Sequence, residues 1–429
     1  KSIWFLRGSL MICHWLQAFT IVLLLILPSF SSGQDAWFGD LDSLWATDGV
    51  EILPVTNLPG QVRSVCRDAS GGGWIALESS NQIVHVDVSG NISETVETSF
   101  GVQSLAVARD GRIWATRPGL DDVIVIQPGQ GIVASYSVGV VPYGICIDAQ
   151  DRVWVSCSYS NNIHQLSSTG QLIQVIPTGF FPTGITTAHD GGVWLAEKDG
   201  MRKISATGDL LWSGVAGNFP ISVTTDLQGR AWFACKLSHQ VAVVGDSGLE
   251  NLIDVPALPI GISGNGDGGV TVVCGGGSAV IRISSSGEIV DQDWVADPGA
   301  SGDLTGLVRA LTVDPQGDVD MDGVPNLREA QLGFDPFDPN SSPMYFIRGD
   351  ANQDGNVNLS DAITTLMVLF GIESSSCLES LDIDDDAQLT LADPLRILDH
   401  LFGNGPPPGA PFPDLGPDPD PAQGLPCSP

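Results

Sequence analysis

Gly111-Arg112-Ile113-Trp114, Asp151-Arg152-Val153-Trp154, Gly192-Val193-Trp194 and Gly229-Arg230-Ala231-Trp232 are versions of one short phrase, a polar turn running into an apolar strand that carries Trp. With Trp74 they set a period. Trp74, Trp114, Trp154, Trp194 and Trp232 stand 40, 40, 40 and 38 residues apart, and Gly268-Gly269-Val270-Thr271 continues the series with Thr in the Trp place. Such a period marks a stacked or radial array. Within each unit an apolar run precedes the turn, the Trp strand follows, and then come a third run (residues 163–166 or 82–86), a Ser/Gly turn and a fourth run (residues 171–176). Four short strands per unit make one propeller blade. Asp110-Gly111, Asp190-Gly191 and Gln228-Gly229 supply the positive φ of a tight hairpin. The units are rich in Val, Ile, Thr and Gly and alternate with period two, which disfavours a helical solenoid.

Six units run from about residue 61 to residue 295. A seventh reads as split between the ends, with residues 307–314 as a first strand and residues 44–55 as outer strands. Pairing both ends in one blade closes the ring and removes exposed edges. The expected fold is therefore an all-β seven-bladed β-propeller, six blades being the alternative, with a small α-helical calcium-binding domain after it. The expected division is 1–33 signal peptide, 34–315 propeller, 316–342 calcium-loop spacer, 343–403 paired loop-helix domain and 404–429 Pro/Asp-rich tail.

Pro142-Tyr143-Gly144-Ile145, Pro182-Thr183-Gly184-Ile185 and, loosely, Pro259-Ile260-Gly261-Ile262, each followed by an Asp/Gly turn and an apolar strand, resemble the streptogramin lyase-like and NHL-like propellers. The resemblance covers roughly residues 60–295. It is specific for the fold and weak for activity, because propellers include binders, scaffolds and enzymes. For the lyase branch it implies a His base near a divalent metal and a Glu. This chain offers His85, His164, His189 and His239 with Glu78 and Glu197, and spacing joins none of them into a pair, so the catalytic residues are unknown. A binding face is the blander reading, with Tyr143, Tyr159, Asn161, Asn162, Phe180 and Phe181 as recognition groups. Phe180 and Phe181 serve equally well as packing between blades.

The chain has 429 residues, 43% of them hydrophobic, and 18 Lys+Arg against 50 Asp+Glu, a net charge of -32. Nucleic acid and anionic membrane surfaces are excluded as main partners. The acid is concentrated: residues 316–429 carry 20 acidic and 3 basic groups, a net of -17 in about a quarter of the length.

Three loops carry that charge. Asp318, Asp320, Asp322, Val324, Asn326 and Glu329 occupy places one, three, five, seven, nine and twelve of a calcium loop, with Gly323 at the sixth. Alternate side chains of a tight loop converge on one point, the seventh place contributes a carbonyl, and the twelfth carboxylate binds through both oxygens. Asp350, Asn352, Asp354, Asn356, Asn358 and Asp361 repeat the layout around Gly355, and Asp382, Asp384, Asp386, Gln388, Thr390 and Asp393 repeat it around Ala387. An all-oxygen shell suits calcium, the expected cofactor, better than zinc or copper. Ala387 held at positive φ costs on the order of 1 kcal/mol, so the third loop is expected to bind more weakly.

Apolar helix-like segments follow the second and third loops: Ala362, Ile363, Leu366, Met367, Leu369 and Phe370, then Leu395, Ile397, Leu398, Leu401 and Phe402, with Pro394 in a first turn. These paired units, residues 345–402, resemble the type I dockerin. The resemblance implies calcium-dependent docking on a cohesin-like or other extracellular protein, with Leu359, Ser360, Leu391 and Ala392 choosing the partner. Leu359-Ser360 and Leu391-Ala392 differ from one another, which argues against two interchangeable docking modes. The loop at Asp318, with Pro325-Asn326 and Gly333-Phe334-Asp335-Pro336, resembles a thrombospondin type 3 calcium repeat. The tail, with Pro406-Pro407-Pro408 and Asp418-Pro419-Asp420-Pro421, is expected to be irregular.

Lys1 and Arg7 before the apolar run at residues 19–27, then Pro28, Ser31, Ser32 and Gly33, form a secretory signal pattern, and the run is too short to span a bilayer. The mature chain is expected to be secreted or at a cell surface, without a membrane span. Cys377 and Cys427 bracket the third loop and the tail and are expected to form a disulfide. Cys66, Cys146, Cys157, Cys235 and Cys274 sit in apolar runs and read as small buried hydrophobes. The whole reads as a secreted, non-catalytic binding and scaffold protein, with a lyase-like propeller enzyme as the alternative.

Overall fold

In the computed structural model the described residues are 36–40, 42–47, 52–78, 80–295, 298–332, 334, 336–337, 345–418, 425 and 427. The signal-peptide reading lies outside them. Among them no helix is long and apolar enough to cross a membrane.

Seven four-stranded antiparallel sheets form a seven-bladed β-propeller, followed by a few short helices. Blade 1 comprises Val62–Arg67, Gly73–Leu77, Gln82–Val86 and Ile92–Glu97, and blades 2 to 6 repeat this order through Ile289–Trp294. The periodic Trp is the contact between blades. Trp154 packs on Val193 and Leu195 of the next blade, and Trp232 on Val270 and Val272, all fully buried. Trp194 meets Phe233 edge to face at 6.2 Å. Residues on one face of the Trp strand thus fill the space left by the opposite face of its neighbour.

Polar groups beside the Trp are matched within the blade. Asp148 accepts from the Trp154 indole N–H and the Arg152 guanidinium, both at 2.7 Å, and Asp226 does the same for Trp232 and Arg230. Both carboxylates are buried, so two donors apiece are what make their burial tolerable. In blade 1 a Gly stands where Arg would be, and His85 from the third strand reaches Asp68 at 2.9 Å instead.

The seventh blade joins the two ends of the ring but differs in detail from expectation. Its order is Pro298–Gly299, Ala36–Asp40, Ser43–Thr47, Ile52–Asn57, with Gly39 opposite Gly299 and Asp40 opposite Pro298. Residues 307–314 are not its first strand. They contain a π-helical turn, Arg309–Val313, because the buried residues Leu304, Leu307, Ala310 and Leu311 recur at helical rather than alternating spacing.

That turn closes one end of the central channel, at the finishing ends of the inner strands. Arg109 donates to the Val313 carbonyl at 2.8 Å, and Thr187 donates to Thr312 at 3.0 Å. Thr305 donates to the Gly264 carbonyl at 2.6 Å. Leu307, Ala310 and Leu311 also pack against Ala330 and Phe337, so helix α1 (Asn326–Leu332) is anchored on the plug.

The C-terminal module contains α2 (Leu359–Leu369) and α3 (Ala392–Leu398), which pack on each other around Ala362, Ile383 and Ile397. The described part of the tail, residues 404–418, is mostly irregular, as expected, with one short pairing. Gly416–Pro417 pairs with Tyr345–Phe346, and Cys377 and Cys427 are disulfide-bonded. Its anchor is Arg348, fully buried, which donates to the Ala410 carbonyl at 2.8 Å and the Asp382 carbonyl at 2.7 Å. The same guanidinium pairs with Glu379 at 2.8 Å, Asp385 at 2.9 Å and Asp418 at 3.5 Å. A lone buried cation must find such partners, and they come from three separate segments.

Candidate functional site

The starting ends of the inner strands define one face of the propeller. Val141, Phe181, Phe219 and Leu258 each precede the Pro that opens an inner strand, and each has a φ of 55–56°. Bulky residues in the left-handed region cost of order 1–3 kcal/mol and persist only where the surroundings hold them. Here a side chain from the previous blade does so. Asp121 accepts from the Val141 N–H at 2.8 Å, Asn161 from the Phe181 N–H at 2.8 Å, and His239 from the Leu258 N–H at 3.0 Å. His239 thus occupies a backbone-capping position shared with Asp and Asn.

The other histidines are dispersed. His85 lies between Asp68 and Ser93, His164 is on the third strand of blade 3, and His189 is exposed in a turn at the opposite end of blade 4. Burial lowers the pKa of His164. Glu197 is paired with Arg202 at 2.8 Å and accepts from the Gly179 N–H at 2.6 Å, whereas exposed Glu78 stands 3.9 Å from Arg63. Among the described residues no histidine is hydrogen-bonded to either glutamate.

An aromatic groove of about 350 Å³ opens on this face between Tyr159, Phe180, Phe181 and Phe219, with Asn161 and Lys198 at its edge. Tyr159 is 66% and Phe180 55% exposed. The Phe181 ring lies 5.5 Å from Tyr159 and 6.2 Å from both Phe180 and Phe219, and the Lys198 ammonium is 5.2 Å from the Phe180 ring centre. Of the sequence candidates, Tyr159, Asn161, Phe180 and Phe181 meet here. Tyr143 instead lines the central channel, and Asn162 accepts from Ser160. Phe219 and Lys198 were missed, although Phe219-Pro220 repeats Phe181-Pro182.

The three acidic loops share one hydrogen-bond wiring. In the first, Asp318 accepts from the N–H groups of Asp322 at 3.1 Å and Gly323 at 2.9 Å, and Asp322 accepts from Val324 at 2.8 Å. In the second, Asp350 accepts from Asp354 at 3.0 Å and Gly355 at 2.7 Å, and Asp354 from Asn356 at 2.9 Å. In the third, Asp382 accepts from Asp386 at 3.3 Å and Ala387 at 2.8 Å, and Asp386 from Gln388 at 2.9 Å. The last carboxylates of loops two and three also match. Asp361 accepts from Asn352 and Asn358, and Asp393 from Ile383 and Thr390.

The sixth place has φ of 97° at Gly323, 83° at Gly355 and 59° at Ala387, so the alanine does adopt the left-handed conformation. Carboxylate oxygens of Asp318, Asp320 and Asp322 lie within 4.8 Å of one another, as do those of Asp382, Asp384 and Asp393. Asp320, Asp322 and Asp384 each keep a buried oxygen with no hydrogen-bond partner. Burial, reinforced by Asp322 and Asp318, pushes Asp320 up to about 7. Burial likewise raises Asp382 and Asp393. Clustered hard oxygens with spare lone pairs fit a calcium ion. A further acidic group, Glu379, Asp385 and Asp418, is the one already matched by Arg348.

Leu359 and Ser360 begin α2, and Leu391 and Ala392 stand at the start of α3, all four exposed. Leu359, Ile363 and Phe370 recur on one helical face, and Leu391, Leu395 and Phe402 repeat them 32 residues later, each at least half exposed. The free cysteines, Cys66, Cys146, Cys157, Cys235 and Cys274, are all buried, and burial pushes the Cys157, Cys235 and Cys274 thiols up to about 12. They have no thiolate to offer near neutrality.

Residues 95–300 match the Virginiamycin B lyase family. A virginiamycin B lyase of Nocardia farcinica is 30% identical over 129 residues, which cover 29% of this chain and 44% of that protein, so the chain spans less than half of that relative. Among solved structures, a streptogramin B lyase aligns with TM-score 0.52 at 21% identity, over 56% of this chain and 86% of its own. A virginiamycin B lyase from Staphylococcus aureus aligns with TM-score 0.51 at 19% identity, over 56% and 89%. Residues 95–300 are thus similar to the Virginiamycin B lyase family, and the solved lyases share the propeller fold of this chain.

Proposed function

We propose that the chain is a secreted, non-catalytic binding and scaffold protein. The propeller face recognises a ligand through the aromatic groove. The C-terminal module docks, in a calcium-dependent way, on a cohesin-like or other extracellular protein, as part of an extracellular and polysaccharide-degrading assembly. The observation that carries this reading is the common wiring of the loops at Asp318, Asp350 and Asp382, with carboxylates gathered toward one point in the first and third. Calcium supplies the counter-charge that these carboxylates otherwise lack, and so orders the loops that position α2 and α3. Leu359, Ser360, Leu391 and Ala392 then present the docking surface.

Calorimetric titration of the full chain with calcium tests this, with Asp350→Ala/Asp361→Ala as the control for the second loop. Two or three sites, one lost in the double variant, are expected, followed by capture of a secreted partner that EDTA reverses. Absence of calcium binding overturns the docking reading.

The family match favours a second reading, a carbon-oxygen lyase. One of the structural relatives is a catalytically inactive virginiamycin B lyase from Staphylococcus aureus with quinupristin, aligned at TM-score 0.52 and 19% identity. Turnover of quinupristin by this chain, lost in His239→Ala or Glu197→Gln, establishes the lyase reading. Its absence leaves the scaffold.

A further inference from the structure

The geometry points to a binding site for a short-chain monocarboxylate in the central channel, anchored by Arg309. A cavity of about 80 Å³ runs along the inner strands, from Gln103, Tyr143 and Ile221 at their starting ends to Arg309, Thr312 and Val313 on the plug. A cavity of that size holds several waters, and hence a ligand of a handful of heavy atoms.

The guanidinium of Arg309 is what makes the cavity a site. Its Nε is buried without a hydrogen-bond partner, and the side chain makes no ion pair among the described residues. The contrast within this molecule is sharp. Arg117, Arg152, Arg230 and Arg348 all hold carboxylates, in a chain whose net charge is -32. A buried donor left unmatched is costly, and a cation more so. The charge of Asp303 acts on it only through space. Asp303 also lines the cavity, but its oxygens accept from the N–H groups of Gly306 at 3.1 Å, Val308 at 3.4 Å and Arg309 at 2.9 Å.

Asp303 does set the charge of the guest. With Asp303 beside Arg309 the cavity is close to neutral, so a guest with one negative charge is opposed far less than a phosphate dianion. The walls set the remainder. Val107, Ile145, Ile147, Ile185 and Val223 give the channel an apolar stretch suited to a short acyl chain, and hydroxyls such as Ser104 and Thr186 stand between them. A guanidinium takes a carboxylate through two parallel hydrogen bonds, which a neutral guest cannot reproduce. The plug closes the far end, so entry is from the face that carries Tyr143. This site shares no lining residue with the acidic loops or the aromatic groove.

The test is titration of the full chain with butyrate to about 50 mM, beside butyramide, which has the same shape without the charge, and phosphate. Saturable binding of butyrate is expected, with butyramide and phosphate at least about tenfold weaker. Arg309→Gln should weaken butyrate by about tenfold or more, and Arg309→Lys by less. Equal binding of butyramide, unchanged binding by Arg309→Gln, or no saturable binding of butyrate overturns the proposal. If Arg309→Gln does not fold, the wild-type crystal soaked in butyrate decides. A carboxylate within hydrogen-bond distance of the Arg309 guanidinium sustains the site, and a channel without it overturns the site.

Discussion

In the propeller blades, charges such as Asp148 and Asp122 are matched by the chain itself: Asp148 holds Arg152 and the Trp154 indole, and Asp122 holds Arg117 at 2.9 Å. In the C-terminal module, carboxylates face one another at Asp318–Asp320–Asp322 and Asp382–Asp384–Asp393, where among the described residues Arg396 pairs with Asp384 at 2.9 Å, while Arg348 serves the separate group Glu379, Asp385 and Asp418. The propeller is ordered by apolar surface meeting apolar surface, whereas the module gathers carboxylates that the proposed calcium ions would neutralise. Two regions of one polypeptide are therefore expected to answer differently to the solution around them.

The sharpest way to break this comparison is to remove calcium. Chelation should abolish amide protection in residues 345–403 while leaving residues 105–245 unchanged, read by hydrogen exchange on the full chain. A calcium ion at a hundredfold excess over its Kd contributes about 2.7 kcal/mol per site, so loss from two or three loops exceeds what so small a core can absorb. Equal loss of protection in both regions refutes the contrast.

Trp154→Ala attacks from the other side. It empties the contact between blades 3 and 4 and should cost the propeller about 3–5 kcal/mol in thermal or denaturant unfolding. Calcium binding at the C-terminal loops should be unaffected by it.

A smaller effect separates the regions by acid. Burial opposes ionisation of Asp68, but hydrogen bonds from His85 and Ser70 outweigh it and hold the carboxyl at about 2. The folded value is depressed, so the stabilisation is present above the ordinary carboxylate range and is lost as pH falls from about 4 towards 2. It amounts to on the order of 2 kcal/mol, and a His85→Leu variant should lose it at neutral pH and unfold with a flatter acid dependence.

The smallest change is Ala387→Gly. Relieving the left-handed alanine should strengthen calcium binding at the third loop by about 1 kcal/mol, seen as a roughly fivefold lower Kd by calorimetry. No change there means that the loop is reshaped when metal binds.

Much of this was legible because the decisive signals are local. The Trp period marks one strand per blade, and the acidic loop residues alternate along a dozen positions, so both can be read without knowing what lies nearby in space. The misreadings occur where partners come from afar. Pro298-Gly299 carries no strand pattern and is a strand only because Gly39 and Asp40 arrive from the other end of the chain. Residues 307–313 are apolar enough to read as a strand, but their buried positions follow helical spacing and include a π-helical turn. Arg348 gave no signal at all, since Glu379, Asp385 and Asp418 converge on it only after the tail has folded back. The aromatic groove was half visible, with Phe219 hidden in a different blade from Phe181.

The mixed parentage of blade 7 imposes a schedule on biosynthesis. Ala36–Asp40 emerges early and has no inner neighbour until Pro298–Gly299 has been made. At ribosomal rates of about 5–20 residues per second, the N-terminal strands wait from roughly ten seconds to nearly a minute with one edge unpaired. During that interval the growing chain is an open arc, and a chaperone or export factor that covers the waiting edge acts at the moment when the protein most needs it.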